Sequence, residues 1–188
     1  AKRIHLAKRV IVKLRGALFV LDEPSTGLHP KDNKKLLAIL DELVKNLNIT
    51  SPGLILEQLE NKLSALFPAG IPFAGGISCG IGLYNSTERT ITYCGANLDL
   101  YMVHNSNHEV YPGTDEPILS GATNSAMENR LLEVSRGSNF YLSTAAYWQQ
   151  EGGHEYKVLG RESFEKTIVS IEKQNAEEQQ RVLNKVFE

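Results

Sequence analysis

Between Ile77 and Thr144 the apolar residues are spaced for strands, and the breaks between runs are short polar turns. Residues 77–84, ISCGIGLY, and 89–97, RTITYCGAN, stand on either side of NSTE, which reads as a hairpin. Residues 98–103, LDLYMV, and 108–111, HEVY, form a second hairpin across HNSN. RLLEV at 130–134 and FYLST at 140–144 follow, separated by the turn SRGSN. Pairing Tyr84 with Arg89 would set Cys79 opposite Cys94, with Cβ atoms ~5 Å apart. Two buried thiols in a reducing compartment are expected there rather than a disulfide. Ser78, Gly80 and Gly82 are weak strand formers, so close packing is expected beside them. His104 and His108 flank the second turn, but a metal site on that pair lacks a third ligand.

Helical periods bracket this region. Leu36, Leu40, Leu43, Val44 and Leu47 predict a helix over 31–47, with Pro30 suited to its first turn. Ser51 as N-cap and Pro52 at the first position open a helix over 52–66 on Ile55, Leu59, Leu63 and Leu66. A Pro/Gly-rich loop, FPAGIPFAGG, follows at 67–76. A helix over 162–172 rests on Phe164, Ile168 and Ile171. Asn175 and Glu178 are spaced as a capping box for a last helix carrying Val182, Leu183, Val186 and Phe187. The expected fold is α+β: a mostly antiparallel sheet, a partial sandwich, covered by helices. An N-terminal helix–strand–helix piece precedes it.

That piece differs in composition. Residues 1–48 hold ten Lys/Arg against five Asp/Glu, net +5; residues 49–188 hold ten against seventeen, net −7. The shift marks a boundary near Asn48. Over the whole chain the net charge of −2 gives no case for nucleic acid or an anionic membrane as partner. No apolar run approaches the roughly 20 residues that span a bilayer. No signal peptide opens the sequence, and Ala1 in place of an initiator Met points to a trimmed chain or a fragment. Two cysteines are too few for a disulfide scaffold or a structural zinc site, and the expected location is cytoplasmic.

Residues 1–14 place Ile4, Val10, Ile11 and Leu14 among basic residues, which fits an amphipathic helix with a solvated face. Residues 17–21, ALFVL, form a continuous apolar run, as a fully buried parallel strand does. The run ends in Asp22 and Glu23, and Pro24 stops it. Acids at the C-terminal end of a buried strand can order a magnesium ion and orient an attacking water. The full string LDEPSTGLHP resembles the Walker B segment and D-loop of ABC-type ATPases, and with RIHLA before it is similar to the UvrA family. The resemblance covers residues 1–48. It implies that Asp22 orders the magnesium of Mg-ATP, that Glu23 is the catalytic acid and that residues 25–29 are the D-loop. No G-x-x-x-x-G-K-[ST] loop occurs anywhere to cradle a triphosphate, the signature residues are absent, and the pattern breaks at Ile49.

Residues 49–188 carry a second resemblance. ITSPGLILEQLENKL, TITYCGANLDLYMV, DEPILSG, FYLSTAAYWQQEGG and the closing ESFEKTIVSIEKQNAEEQQRVLNKVFE occur in the order found in the SpoIIE-like branch of PPM-type serine/threonine phosphatases. That family implies a two-metal centre of manganese or magnesium held by aspartates, whose bridging water attacks the phosphoryl group. Several of those aspartates have no counterpart here. The one in the family's T-D-G turn matches Ala145, followed by Ala146, and the one before its FGG matches Gln149.

The resemblances imply a composite chain. They support a catalytically degenerate phosphatase-like scaffold with a binding or regulatory role, a pseudophosphatase, with no metal ligand at Ala145. The alternatives are a nucleotide-binding UvrA-like fragment using Mg-ATP through Asp22 and Glu23, or an active manganese- or magnesium-dependent phosphatase. Strands for about one and a half sheets leave a sheet face uncovered. Self-association or a protein partner is therefore expected there, with neither membrane nor nucleic acid.

Overall fold

A computed structural model describes residues 38, 39, 42, 51–66, 76–121, 126–152 and 157–186, and the backbone of 17–21. In chain order the elements are β1 (Ala17–Leu21), α1 (Pro52–Leu66), β2 (Cys79–Asn85), β3 (Thr90–Ala96), β4 (Asp99–His104), β5 (Asn107–Tyr111), β6 (Arg130–Glu133), β7 (Asn139–Ser143), α2 (Ala145–Trp148), β8 (Glu151–Gly152), β9 (Lys157–Val158), α3 (Arg161–Ser170) and α4 (Ala176–Lys185). Residues 38, 39 and 42 are helical, within the helix expected over 31–47. The expected helix over 1–14, residues 22–30, the loop at 67–75 and the boundary at Asn48 lie outside the described residues. The architecture is the mixed helix and antiparallel sheet that the sequence predicts. By contact the chain forms two compact units, residues 1–98 with 113–134, and residues 99–112 with 135–188.

The first unit holds a four-stranded sheet in the order β1-β2-β3-β6, antiparallel throughout. α1 begins where Ser51 and Pro52 predict. The Leu54 amide donates to Ser51 Oγ at 3.4 Å, and the Gly53 amide donates to Asn129 Oδ1 at 2.8 Å. Its buried stripe, Ile55, Leu56, Leu59 and Leu63, forms one core with Ile77, Cys79, Ile81, Cys94, Ala96, Ile118 and Leu119. Burying such side chains contributes roughly 1.5–3 kcal/mol each. Glu60 on the same helix accepts from the Leu119 amide at 2.9 Å, and Ile77 and Ile118 exchange backbone bonds of 2.8 and 3.1 Å.

Two expectations for this sheet are corrected. β1 pairs with β2 antiparallel at the sheet edge, not as a parallel strand. A continuous apolar run signals a buried strand but carries no information about its direction. The β2–β3 register is also two residues away from the expected one. Asn85 Oδ1 accepts from the Thr87 and Glu88 amides at 3.0 and 3.2 Å, and Arg89 takes a left-handed φ of 52°. Arg89 thus belongs to the turn, and Asn85 pairs with Thr90. Cys79 then faces Ala96, and Cys94 faces Ile81. Because side chains alternate with a period of two, this shift keeps both thiols on one face as diagonal neighbours. Both are buried and free.

The second unit holds a three-stranded sheet, β5-β4-β7. Its hairpin closes more tightly than expected. His104 pairs with Asn107 across only Asn105 and Ser106, whose φ values of 52° and 60° are those of a type I′ turn. β7 runs over 139–143, one residue earlier than expected, and is half-buried throughout. Tyr101 and Val103 of β4 share a core with Trp148, Phe164 and Ile168. α3 buries Phe164 and Ile168, with Ile171 just beyond its end, as the spacing predicts. α4 opens on the expected capping box, Asn175 with Glu178, and buries no residue completely. Among the described residues no helix is long and apolar enough to cross a membrane.

Candidate functional site

The end of β7 is the position that the sequence singles out. Ser143, its last residue, lies opposite Asp99 on β4. Thr144 follows, nearly buried, and Ala145 and Ala146 open the four-residue α2. This turn is closed by bonds from the Tyr147 amide to the Thr144 carbonyl at 3.2 Å and from the Gln149 amide to the Ala145 carbonyl at 2.9 Å. The Gly160 amide then donates to the Trp148 carbonyl at 2.9 Å, bringing the start of α3 back to the turn. Gly160 takes a φ of 78°, a conformation open to glycine at little cost.

α3 begins with Arg161, which gathers the acids nearby. Its Nη2 lies 3.3 Å from Asp99 Oδ2 and its Nε 3.0 Å from Glu165 Oε1. The guanidinium stands 5.7 Å from the Tyr101 ring centroid and 5.8 Å from that of Trp148. Tyr101 meets Phe164 edge-on at 5.1 Å and Trp148 at 6.2 Å. His108 Nε2 approaches Glu165 Oε2 at 3.6 Å. Burial, with a smaller opposing pull from Arg161, raises the Tyr101 phenol well above its ordinary range. Hydrogen bonding to Glu165 raises the Arg161 guanidinium further, so it stays cationic.

Among the described residues, this turn supplies no ligand set for a two-metal centre. The first residue after Thr144 is Ala145, whose methyl cannot ligate a cation. Asp99 and Glu165 already share the Arg161 cation. Among the described residues no three His, Cys, Asp or Glu side chains stand together as a metal cluster. The histidine pair is also separated: His108 faces Val103 while His104 faces Asn107, so the two project to opposite sides of the hairpin. Asp22 and Glu23 lie outside the described residues, although β1, which they follow, is described. Sequence reasoning missed the Arg161 cluster. Its one local signal is the i, i+4 spacing of Arg161 and Glu165, and the other members come from distant parts of the chain.

No family model matches the chain. Curated relatives are UvrABC system protein A. That of Neisseria meningitidis serogroup B is 28% identical over 145 residues, covering 73% of this chain and 15% of that protein. That of Deinococcus radiodurans is 58% identical over 43 residues, 23% of this chain and 4% of that protein. The chain thus spans only a small part of the relatives it matches. Among solved structures, the SiaA-PP2C domain of Pseudomonas aeruginosa matches with a TM-score of 0.71 at 19% identity, over 91% of this chain and 72% of that one. The RsbU and RsbW domains of Rv1364c from Mycobacterium tuberculosis match at 0.64 and 14% identity, over 91% and 46%. RsbX in complex with magnesium matches at 0.58 and 17% identity, over 96% and 84%. The chain therefore has the fold of PP2C/SpoIIE-like phosphatase domains and carries, in part, a sequence similarity to UvrA.

Proposed function

We propose that this chain is a catalytically degenerate PP2C/SpoIIE-like domain that works as a binding or regulatory scaffold. The observation that carries this reading is Ala145 at the start of α2, two residues past the end of β7, where the resembled family writes a metal-binding aspartate. The engagement of Asp99 and Glu165 by Arg161 supports it, because both carboxylates already pair with one guanidinium. Its partner would be a protein or a second copy of the chain, met through an uncovered sheet face. Calorimetric titration with manganese, paired with an assay on a generic phosphoester, tests the reading. Neither heat of binding nor turnover is expected; manganese-dependent hydrolysis would overturn it in favour of an active phosphatase.

A nucleotide-binding reading rests on the 43-residue match to UvrA at 58% identity. Asp22 and Glu23 would serve it, with a phosphate cradle supplied from elsewhere. Mg-ATP binding by the isolated chain, lost in Asp22→Asn, would favour it over the scaffold.

A further inference from the structure

We infer that the outer edge of β6 is a strand-acceptor site for an extended segment of a partner protein that carries an aliphatic residue between two cations. β6 ends the four-stranded sheet and, among the described residues, pairs only with β3. The Val134 amide donates to the Arg89 carbonyl at 2.8 Å, in line with the β3–β6 register. Bonded and unbonded pairs alternate along an antiparallel ladder. Arg130 and Leu132 therefore turn their backbone groups to β3, and Leu131 and Glu133 turn theirs outward. Among the described residues no strand or backbone bond meets those outward groups.

The side chains on this edge define what it can take. Leu131 is 70% exposed, more than any other large hydrophobic residue among the described ones. Its row runs from Leu83 through Thr92, and Leu83 packs on the core that α1 covers. Leu131 thus carries that apolar sheet face out to the edge and leaves it bare there. Glu133, two residues on, shares the face. Glu57 and Glu128 are close by, since both charges act on the Cys94 thiol, with Arg130 opposing in part. All three acids are exposed, and Arg130 falls on the other face. Edge strands are commonly guarded by charge or by cover. The guard on this face has one sign. It works against self-pairing, because the register that mates the outward groups of two β6 strands sets both Glu133 carboxylates on one face as diagonal neighbours. A strand with a cation two residues to either side of an aliphatic one meets no such penalty. With its aliphatic side chain opposite Leu131, one cation faces Glu133, the other falls opposite Asn129 beside Glu128, and the backbone bonds form at Leu131 and Glu133. Strand addition needs no metal, nucleotide or loss of catalysis, so the inference goes beyond the scaffold reading.

The test titrates a fluorescent peptide, Gly-Lys-Thr-Ile-Thr-Lys-Gly, into the full chain at low salt and follows anisotropy. Saturable binding is expected, and a peptide with Glu in place of both lysines should bind roughly tenfold more weakly or worse. Leu131→Lys and Glu133→Lys, both at exposed positions, are expected to weaken the lysine peptide by about twofold to fivefold each. Amide exchange locates the site: the Leu131 and Glu133 amides should gain protection on peptide addition, while that of Leu132, already turned to β3, should not change. No saturable binding, equal binding of the two peptides, or binding untouched by both variants would overturn the inference. So would a dimer of the unsubstituted chain that Leu131→Lys converts to monomer, since the occupant would then be a second copy. If a variant does not fold, exchange in the unsubstituted chain decides: peptide binding without protection at Leu131 and Glu133 would overturn the inference.

Discussion

The Tyr93 hydroxyl donates to the Leu98 carbonyl, locking the turn by which the chain leaves β3. Both residues are buried. Gly95 lies beneath this bond, and a Cβ there would overlap both the Tyr93 hydroxyl and the Leu98 carbonyl. The same turn takes two further backbone bonds, from Asn97 to Thr114 at 2.9 Å and from Thr114 to Gly95 at 2.8 Å. Tyr93→Phe removes one buried bond and is expected to cost about 1–2 kcal/mol in urea unfolding. Gly95→Ala must displace backbone as well, and is expected to cost about 1–3 kcal/mol or more. If Gly95→Ala proved neutral, the turn would have to pack differently.

The capping box of α4 gives a second, smaller prediction. Asn175 Oδ1 accepts from the Glu178 amide at 3.0 Å, and Glu178 Oε2 accepts from the Asn175 amide at 3.4 Å. The helix has no fully buried residue; it is held to the unit by Leu183, which packs against the core of Tyr101, Val103, Trp148, Phe164 and Ile168, and by bonds from Tyr141 to Gln179 at 2.9 Å and Tyr147 to Leu183 at 2.6 Å. Asn175→Ala is expected to lower stability by about 1 kcal/mol and Asn175→Asp to leave it nearly unchanged. Amide exchange along 176–185 should speed up selectively in the alanine variant.

What the sequence made legible is local, and what it hid depends on contacts between distant residues. Ser51-Pro52 and Asn175 to Glu178 announce helix starts through bonds made within one turn, and both starts stand where those residues put them. The β2–β3 register turned on Arg89 adopting a left-handed φ, which nothing about an arginine signals. The ALFVL run announced a strand, but its direction is set by β2, some sixty residues away. At the candidate site, Ala145 was legible by its place in a string of family resemblance. The cluster of Asp99, Tyr101, Trp148, Arg161 and Glu165 was not, because only folding brings three separate segments together.

That cluster predicts a difference between two cations. Arg161 is half-exposed, so each of its ion pairs contributes little in water, while its planar group also lies over two aromatic rings. Arg161→Ala is expected to cost about 1–2 kcal/mol from the combined loss. Arg161→Lys should recover less than half of that, since an ammonium cannot fork between Asp99 and Glu165. Both variants should shift the emission of Trp148, the only tryptophan. An unchanged spectrum in Arg161→Ala would mean that the guanidinium does not reach the indole.

The two buried thiols make stability depend on alkaline pH. Burial raises Cys94 from 9.0 to about 11, with the Glu57 charge adding to the effect. Burial first, and the neighbouring Cys94 second, raise Cys79 higher still. A raised folded pKa means that the folded chain keeps its thiol protons where the unfolded chain has begun to lose them. The stabilisation is therefore fully present below pH ~9 and is lost as pH rises from there through about 11. Tyr141 and Tyr147, both raised from 10.0 to about 12 mainly by burial, add a similar loss that begins a unit higher. Urea midpoints should stay level from pH 7 to 8.5 and fall between pH 9 and 10. The fall over that last unit should shrink in a chain carrying Cys79→Ala and Cys94→Ala, which removes the thiols and leaves the tyrosines. Native thiols should also react slowly with a disulfide reagent at pH 8 and quickly in urea. Rapid labelling of the folded chain would show that Cys79 and Cys94 are not sealed beneath α1.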